Sequence, residues 1–225
     1  MKVTTTTALR LPVPGGDVAA AVDHPTEPPV AGLIICHGAN NDLRLPLLHH
    51  LAQAAAAAGF MALRFNFGYV ERGNPPDPVE KGVVELQAAC TALTAMEGMA
   101  GRPLCIAGKS RGAVVAALAA SAGLPVRALA FLGYPLHGAG GAMLPQPHLA
   151  RLRVPALFVI GSDAPYCRAD RLDEARAAIP GPTEVHFISG GDHSYQAAPG
   201  AERSSEELQD EAVRVTIAWL QRQIG

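Results

Sequence analysis

Short apolar runs alternate along the chain with longer segments whose apolar residues recur every three or four positions. Runs that are apolar almost throughout are typical of buried parallel strands, and the periodic segments are typical of amphipathic helices. The alternation therefore predicts an α/β fold, with a mostly parallel central sheet covered by helices on both faces. The predicted strands are Ala31–Cys36, Met61–Phe67, Pro103–Ala107, Val126–Leu132, Ala156–Ile160 and Glu184–Ile188.

The same pattern predicts the helices and one edge of the sheet. Val3–Val13 and Asp17–Val22 are expected to pair as an antiparallel hairpin at a sheet edge. Ser204 and Glu207 have the spacing of a capping box at the start of the last helix. The apolar stripes of the predicted helices are Leu47, Leu48 and Leu51, then Val83, Leu86, Cys90 and Leu93, and finally Leu208, Ala212, Val215 and Trp219.

Composition and charge narrow the class of protein. The 225 residues suit a single domain spanning 1–225. With 18 basic and 20 acidic residues and no basic block, nucleic acid is not expected as a partner. Neither a secretory signal nor an apolar run of about 18 residues is present, so we expect a cytoplasmic protein that does not enter membranes. The four cysteines contain no C-x-x-C, and we expect no metal and no cofactor.

Ser110 lies between two glycines in Gly108-Lys109-Ser110-Arg111-Gly112, directly after a predicted strand. A nucleophilic serine must stand on a very tight turn, which requires small residues two positions before and after it. The helix predicted from about Arg111 to Ala122 would also stabilise negative charge beside the serine. An ordinary strand-to-helix turn with an incidental serine is the alternative, but the strand before and the helix after favour a nucleophile.

A base and an acid follow Ser110 in the order of a Ser-Asp-His triad. His193 comes directly after the last predicted strand; a turn histidine in solvent is the alternative. Asp163 is the first carboxylate after Ser110, because no Asp or Glu occurs between Glu97 and Asp163. It follows a predicted strand at 156–160. We therefore predict Ser110, Asp163 and His193 as the catalytic residues.

An oxyanion hole requires two N–H donors near the serine. The N–H of Arg111 is one candidate because this residue opens the helix after Ser110. The other should come from the loop after the strand at 31–36, where Gly38 lets a substrate approach the backbone closely. We predict Ala39 as this donor, with Gly38 as the fallback, and we expect His37 to support the loop.

Taken together, these segments resemble the α/β-hydrolase superfamily over nearly the whole chain. More narrowly, the chain is similar to small lidless hydrolases related to dienelactone hydrolase, a group that includes a testis-expressed protein and a subunit of a histone acetyltransferase complex. One segment departs from that group, whose acid loop commonly reads Gly-Thr-x-Asp-Pro: here Ala164 stands where the aspartate would be, and Asp163 comes one residue early. The matching segments are His37-Gly38-Ala39, Leu63-Arg64-Phe65-Asn66-Phe67 with Tyr69, Pro75-Pro76, Gly108-Lys109-Ser110-Arg111-Gly112, Leu132-Gly133-Tyr134-Pro135-Leu136-His137 and Gly191-Asp192-His193.

The resemblance implies a hydrolase without a cap domain, since no insertion is long enough to form one. We expect a carboxylesterase-type serine hydrolase that acts on a small ester through an acyl-enzyme. A thioesterase or acyltransferase using the same residues, or a non-catalytic interaction module with this fold, are the alternatives. Oligomeric state stays open.

The substrate should contact loops at the carboxyl ends of the strands. Lys109 and Arg111 flank the nucleophile and are expected to point away from it; binding of anionic substrates is the alternative. Instead of contacting substrate, Phe67 and Tyr134 could pack in the core or at the rim, and His137 could support its loop. The predicted substrate-contacting residues are Gly38, Asn66, Phe67, Tyr69, Tyr134 and His137.

Overall fold

The computed structural model describes residues 4–138, 142–144 and 146–225. Its centre is an eight-stranded sheet with the strand order β1-β2-β4-β3-β5-β6-β7-β8. The strands are β1 (Thr5–Val13), β2 (Gly16–His24), β3 (Ala31–Cys36), β4 (Phe60–Phe65), β5 (Leu104–Lys109), β6 (Ala128–Leu132), β7 (Ala156–Gly161) and β8 (Thr183–Ile188). The helices are α1 (Pro46–Ala57), α2 (Gly68–Glu71), α3 (Val79–Thr94), α4 (Arg111–Ser121), α5 (Ala169–Ala177) and α6 (Ser205–Ile224), with a 3₁₀ turn at Pro147–Arg151.

Most of the sheet is parallel, as the sequence pattern predicts. Strands β1, β2 and β4 pair antiparallel, and every pairing from β4 through β8 is parallel. The six predicted core strands all form, with ends that differ from the prediction by at most two residues. The predicted hairpin forms at the β1 edge and β2 extends to His24; Val3, the first residue of the predicted hairpin, lies outside the described residues.

Each face of the sheet is covered because successive side chains of a strand point to opposite sides. Leu33 and Ile35 of β3 pack in one cluster with residues of α1 and α6. Ile34 of the same strand packs in a second cluster with residues of α3 and α4. The core therefore has two halves, one on each face of a single sheet.

The start of α6 follows the predicted local signal. The capping box forms at α6, where Glu207 N–H donates to Ser204 Oγ and Ser204 N–H donates to Glu207 Oε2. Among the helices that the structure describes, none has the length and apolar character needed to cross a bilayer.

The parallel topology brings the segments that follow β3, β5, β6, β7 and β8 to one edge of the sheet. Within the described part of the chain, the connections at this edge contain no added helices beyond the four-residue α2 and the 3₁₀ turn. No helical cap domain therefore covers the edge in the described residues.

Candidate active site

The turn between β5 and α4 holds Ser110 in an uncommon backbone conformation, with φ 51° and ψ −115°. A non-glycine residue at positive φ is strained and persists only where its surroundings enforce it. Here the backbone N–H of Ser110 donates to the carbonyl of Leu132 at the end of β6, over 2.9 Å. The turn is thus fixed to the neighbouring strand.

The two glycines around Ser110 are required by close backbone contacts. A Cβ added to Gly108 would lie 2.5 Å from the backbone of Gly112 and Ala113. One added to Gly112 would lie 2.5 Å from the carbonyl oxygen of Cys36 and 2.6 Å from that of His37. The Gly-x-Ser-x-Gly pattern is therefore a steric condition for packing the start of α4 against the end of β3.

His193 meets the nucleophile. Its Nε2 lies 2.9 Å from Ser110 Oγ, and the ring of Tyr166 packs edge-on against it with 4.8 Å between centroids. Burial, and to a smaller extent the Lys109 ammonium, lower the pKa of His193 to about 4, although Asp192 acts to raise it. The imidazole is neutral at neutral pH and can accept a proton from the serine.

The other ring nitrogen of His193 makes no hydrogen bond to a carboxylate of the described residues. Nδ1 is buried, and it has no hydrogen-bond partner among the described residues. It faces the end of β6, where a Cβ added to Gly133 would lie 3.2 Å from it. In the Ser-His-Asp triad of serine hydrolases, the N–H at this nitrogen donates a hydrogen bond to a carboxylate.

The predicted contact between Asp163 and His193 is not formed, which corrects the sequence prediction. Asp163 is exposed and its Oδ1 accepts from Ser162 Oγ at 2.8 Å. Its backbone N–H donates to the carbonyl of Gly191 at 2.9 Å, which ties the loop down while the carboxylate stays outside. The buried position in this loop belongs to Ala164, whose methyl group can accept no hydrogen bond.

Asp192 acts electrostatically on His193, but its carboxylate makes its hydrogen bonds elsewhere. Its Oδ1 accepts the N–H of Ser194 at 2.6 Å and of Gln196 at 2.8 Å. The carboxylate therefore braces the loop after β8, and it makes no hydrogen bond to Nδ1 of His193.

The loop after β3 offers the N–H of Ala39 as a donor. The N–H of Gly38 donates to Asn41 Oδ1 at 2.9 Å, so the fallback donor is occupied. The N–H of Ala39 has no acceptor among the described residues. Arg111 begins α4, and the first N–H of a helix has no partner within it. Two donors are thus available, from Ala39 and Arg111.

His37 and Tyr69 hold the Ala39 peptide from behind. His37 Nδ1 donates to the carbonyl of Gly38 at 2.7 Å, and its Nε2 accepts the N–H of Phe67 at 2.9 Å. Tyr69 Oη donates to the carbonyls of Gly38 and Ala39, each at 3.1 Å. Because a trans peptide directs its C=O and N–H oppositely, anchoring the Gly38 carbonyl turns the Ala39 N–H the other way.

A cleft of about 460 Å³ opens at Ser110. The loop at 38–41 forms one wall, and Tyr166 with His193 forms another. Two of the predicted substrate-contacting residues, Gly38 and His137, line it. The serine, the histidine and the free N–H of Ala39 thus share one cleft.

Comparison with known families identifies the architecture. A family model described as alpha/beta hydrolase domain matches residues 29–221. The chain belongs to this family. A structure described as a dienelactone hydrolase from Anabaena variabilis is 15% identical, with a TM-score of 0.76, covering 97% of this chain and 98% of that one.

Two further solved structures have the same fold. An alpha-beta serine hydrolase homologue from Coxiella burnetii is 22% identical, has a TM-score of 0.76 and is matched over 96% of this chain and 99% of its own. A serine hydrolase without a lid from Xanthomonas campestris is 20% identical, has a TM-score of 0.75 and is matched over 96% of both chains. At these identities the likeness establishes the α/β-hydrolase fold, with no lid in the last relative.

Four residues predicted to contact substrate lie away from the cleft of this α/β-hydrolase. Asn66 accepts the N–H of Leu43 and donates to Glu71. Phe67 and Tyr69 are buried behind the loop after β3. The reason is the strand order β4-β3-β5, which puts β3 and its loop between the residues after β4 and the nucleophile.

Tyr134 is the fourth such residue, and it lies in the core. Its side chain is fully buried, and its hydroxyl hydrogen-bonds to Gln146 Oε1 and His148 Nε2, each at 2.9 Å. It packs against Phe131 and Phe158 with centroid separations of 5.1 and 5.7 Å. The packing alternative for Tyr134 is therefore the one that the structure shows.

The sequence prediction missed six residues that line the cleft: Asn40, Asn41, Lys109, Pro135, Tyr166 and Ser194. Lys109 lines the cleft although it was expected to point away from the serine. Arg111 does turn away: its Nη2 hydrogen-bonds to the carbonyl of Asp77, and its guanidinium lies 5.9 Å from the ring centre of Tyr69. Three larger depressions, of about 740, 730 and 580 Å³, lie elsewhere and contain none of the predicted catalytic residues.

Proposed function

We propose that this α/β-hydrolase is a serine esterase that cleaves a small ester through an acyl-enzyme. Ser110 attacks the acyl carbon while His193 Nε2 accepts the hydroxyl proton, and the N–H groups of Ala39 and Arg111 stabilise the oxyanion. His193 then protonates the leaving alcohol, and water releases the acid. The observation that supports this proposal most strongly is the 2.9 Å contact between Ser110 and His193 at a strained elbow.

The unpaired Nδ1 of His193 implies a slow enzyme. For Nε2 to accept the serine proton, Nδ1 must carry the ring hydrogen, and this hydrogen has no acceptor among the described residues. In a serine protease, replacing the triad aspartate by asparagine lowers kcat about 10⁴-fold. We therefore expect turnover well below that of an esterase with a complete triad.

The test is covalent labelling by a fluorophosphonate, which reports attack by the serine without requiring turnover. We expect one adduct by intact mass, assigned to Ser110 by peptide mapping, and none with Ser110→Ala. Ser194→Ala, which removes a neighbouring hydroxyl of the same cleft, is the matched control and should still be labelled. Labelling at another residue, or none in the parent protein, would refute the proposal.

A panel of p-nitrophenyl esters of increasing acyl length then tests turnover. Product analysis with thiol and alcohol acceptors separates an esterase from a thioesterase or an acyltransferase, because the three share every residue discussed above. Hydrolysis of the oxygen esters at a higher rate than matched thioesters supports the esterase.

The second candidate is an interaction module that has this fold without catalysis. It is favoured by the acid loop, where Asp163 is turned outwards and Ala164 fills the buried position, and by the sequence resemblance to a group with a histone acetyltransferase subunit. A folded protein with neither labelling nor turnover would support this candidate.

A further inference from the structure

Two buried polar side chains of the Ser110 cleft make no hydrogen bond to the described residues. Lys109 and His137 are each 3% exposed, and both line the cleft. Neither ring nitrogen of His137 has a hydrogen-bond partner among the described residues. Over the same residues, the one charged group that acts on Lys109 is Asp192, without a hydrogen bond. Buried polar groups are nearly always paired, so these two require an explanation.

The positive charge of Lys109 is not balanced by an acidic residue among the described residues that line the cleft. Among the described residues that line it, none is Asp or Glu. Asp192 is already engaged by the N–H groups of Ser194 and Gln196. Burial lowers the pKa of Lys109 to about 8, an effect that Asp192 opposes, so the amine is mainly an ammonium at neutral pH. A buried cation without a close anion is unfavourable, and an anionic ligand would relieve this.

We propose that the cleft selects esters that bear a carboxylate, and that Lys109 Nζ and the ring of His137 bind this carboxylate while Ser110 attacks the ester. The inference rests on the proposed esterase function. An ammonium and one imidazole N–H can each donate to one oxygen of the carboxylate. Lys109 supplies positive charge in place of Arg111, whose guanidinium is turned towards Asp77 and Tyr69.

The experiment measures binding to Ser110→Ala, in which the esters are not consumed by the serine. Calorimetric titrations compare mono(4-nitrophenyl) glutarate with 4-nitrophenyl methyl glutarate, in which the free carboxylate is a methyl ester. A second pair, 4-butyryloxybenzoate and its methyl ester, puts the charge on the leaving group. We expect at least one charged ester to bind about 10–100-fold more tightly than its neutral partner, as for a hydrogen bond to a charged group.

The variant Lys109→Met in the Ser110→Ala background should remove this preference. Lys81→Met, which deletes the same charge from an exposed position on α3, should leave it intact. Titrations of Ser110→Ala at rising pH require no second variant: the preference should decline above about pH 8 as Lys109 loses its proton. Asp192 and His193 are the groups that act electrostatically with Lys109, and His137 lines the same cleft.

Equal affinity for both members of both pairs would overturn the inference, as would a preference that survives Lys109→Met or does not change up to pH 10. The proposed function fails separately, when the parent protein resists the fluorophosphonate. A protein that is labelled but indifferent to the carboxylate retains the esterase function and loses this inference. One that binds the charged ester but is not labelled keeps only the carboxylate-binding cleft and loses the esterase function.

Discussion

The nucleophile side and the acid side of the cleft are built very differently. On the nucleophile side, Ser110 is tied to β6, Gly112 packs against two carbonyls of the neighbouring loop, and His37 with Tyr69 fixes the Gly38 carbonyl. On the acid side, Asp163 faces solvent and Nδ1 of His193 has no partner among the described residues.

The difference shows which parts of the reaction the fold supports. Geometry for attack and for oxyanion stabilisation depends on backbone positions, which many contacts fix together. Orientation of the histidine depends on one carboxylate, and a single changed residue in a loop can remove it. The geometry of the cleft is therefore better suited to the proposed acylation step than to rapid turnover.

Gly112→Ala should disrupt the nucleophile side most. The new methyl group would meet two backbone oxygens at 2.5 and 2.6 Å, so the start of α4 must move away from β3. We expect a loss of about 1–3 kcal/mol in unfolding free energy. Displacement of the serine by about 1 Å should slow fluorophosphonate labelling about 100-fold.

Gly82→Ala is the control for this substitution. It adds the same methyl group within α3, where the nearest atom is a side-chain methyl of Val115 at 3.0 Å. A side chain can yield where a backbone carbonyl cannot, so labelling should stay near the parent rate. Labelling of Gly112→Ala at the parent rate would show that the elbow is not sterically constrained.

His37→Gln should make the protein less sensitive to acid. Burial lowers the pKa of His37 from 6.5 to about 4, so the unfolded chain binds the proton more tightly than the folded one. Stability is therefore full above about pH 6.5 and is lost as the pH falls towards 4, by up to about 1.4 kcal/mol per pH unit for this residue. His193 acts in the same direction.

Urea unfolding between pH 7.5 and 4.5 measures this difference. At neutral pH the variant should be about 1 kcal/mol less stable, because a flexible glutamine loses more rotamer freedom than the imidazole when it bonds to both Gly38 and Phe67. At low pH the unfolding free energy of the variant should fall less steeply with pH than that of the parent, because the variant takes up one proton fewer on unfolding. Parallel curves for the two proteins would refute a neutral, buried His37.

The sequence predicts backbone features of the site better than side-chain directions. The apolar runs predict β3 through β8, and the spacing of Gly108, Ser110 and Gly112 predicts the elbow, because the backbone itself imposes those requirements. The direction of Lys109 depends on the packing of segments distant in the chain. No local pattern distinguishes it from Arg111, which turns away.

The residues after β4 illustrate a second reason why the sequence does not predict every contact in the cleft. Asn66, Phe67 and Tyr69 follow a core strand at the correct edge of the sheet, and this made them candidates for substrate contact. Their distance from Ser110 depends on the strand order, which places β3 between β4 and β5. Strand order is set by long-range pairing, and the periodicity of apolar residues does not encode it.

Asp163→Asn should have the smallest effect, because the substitution removes a charge from an exposed side chain whose recorded partner is Ser162. Surface changes of this kind usually alter free energies by no more than about 0.5 kcal/mol, so the fluorophosphonate labelling rate should stay within about threefold of the parent rate.

Asp192→Asn is the comparison variant, since that carboxylate accepts two N–H groups in the loop that holds His193. Asp192→Asn should slow fluorophosphonate labelling more than Asp163→Asn does. A loss of about 10³-fold or greater for Asp163→Asn alone would mean that the acid loop rearranges in solution to complete a triad, and the two sides of the cleft would then be equally well built.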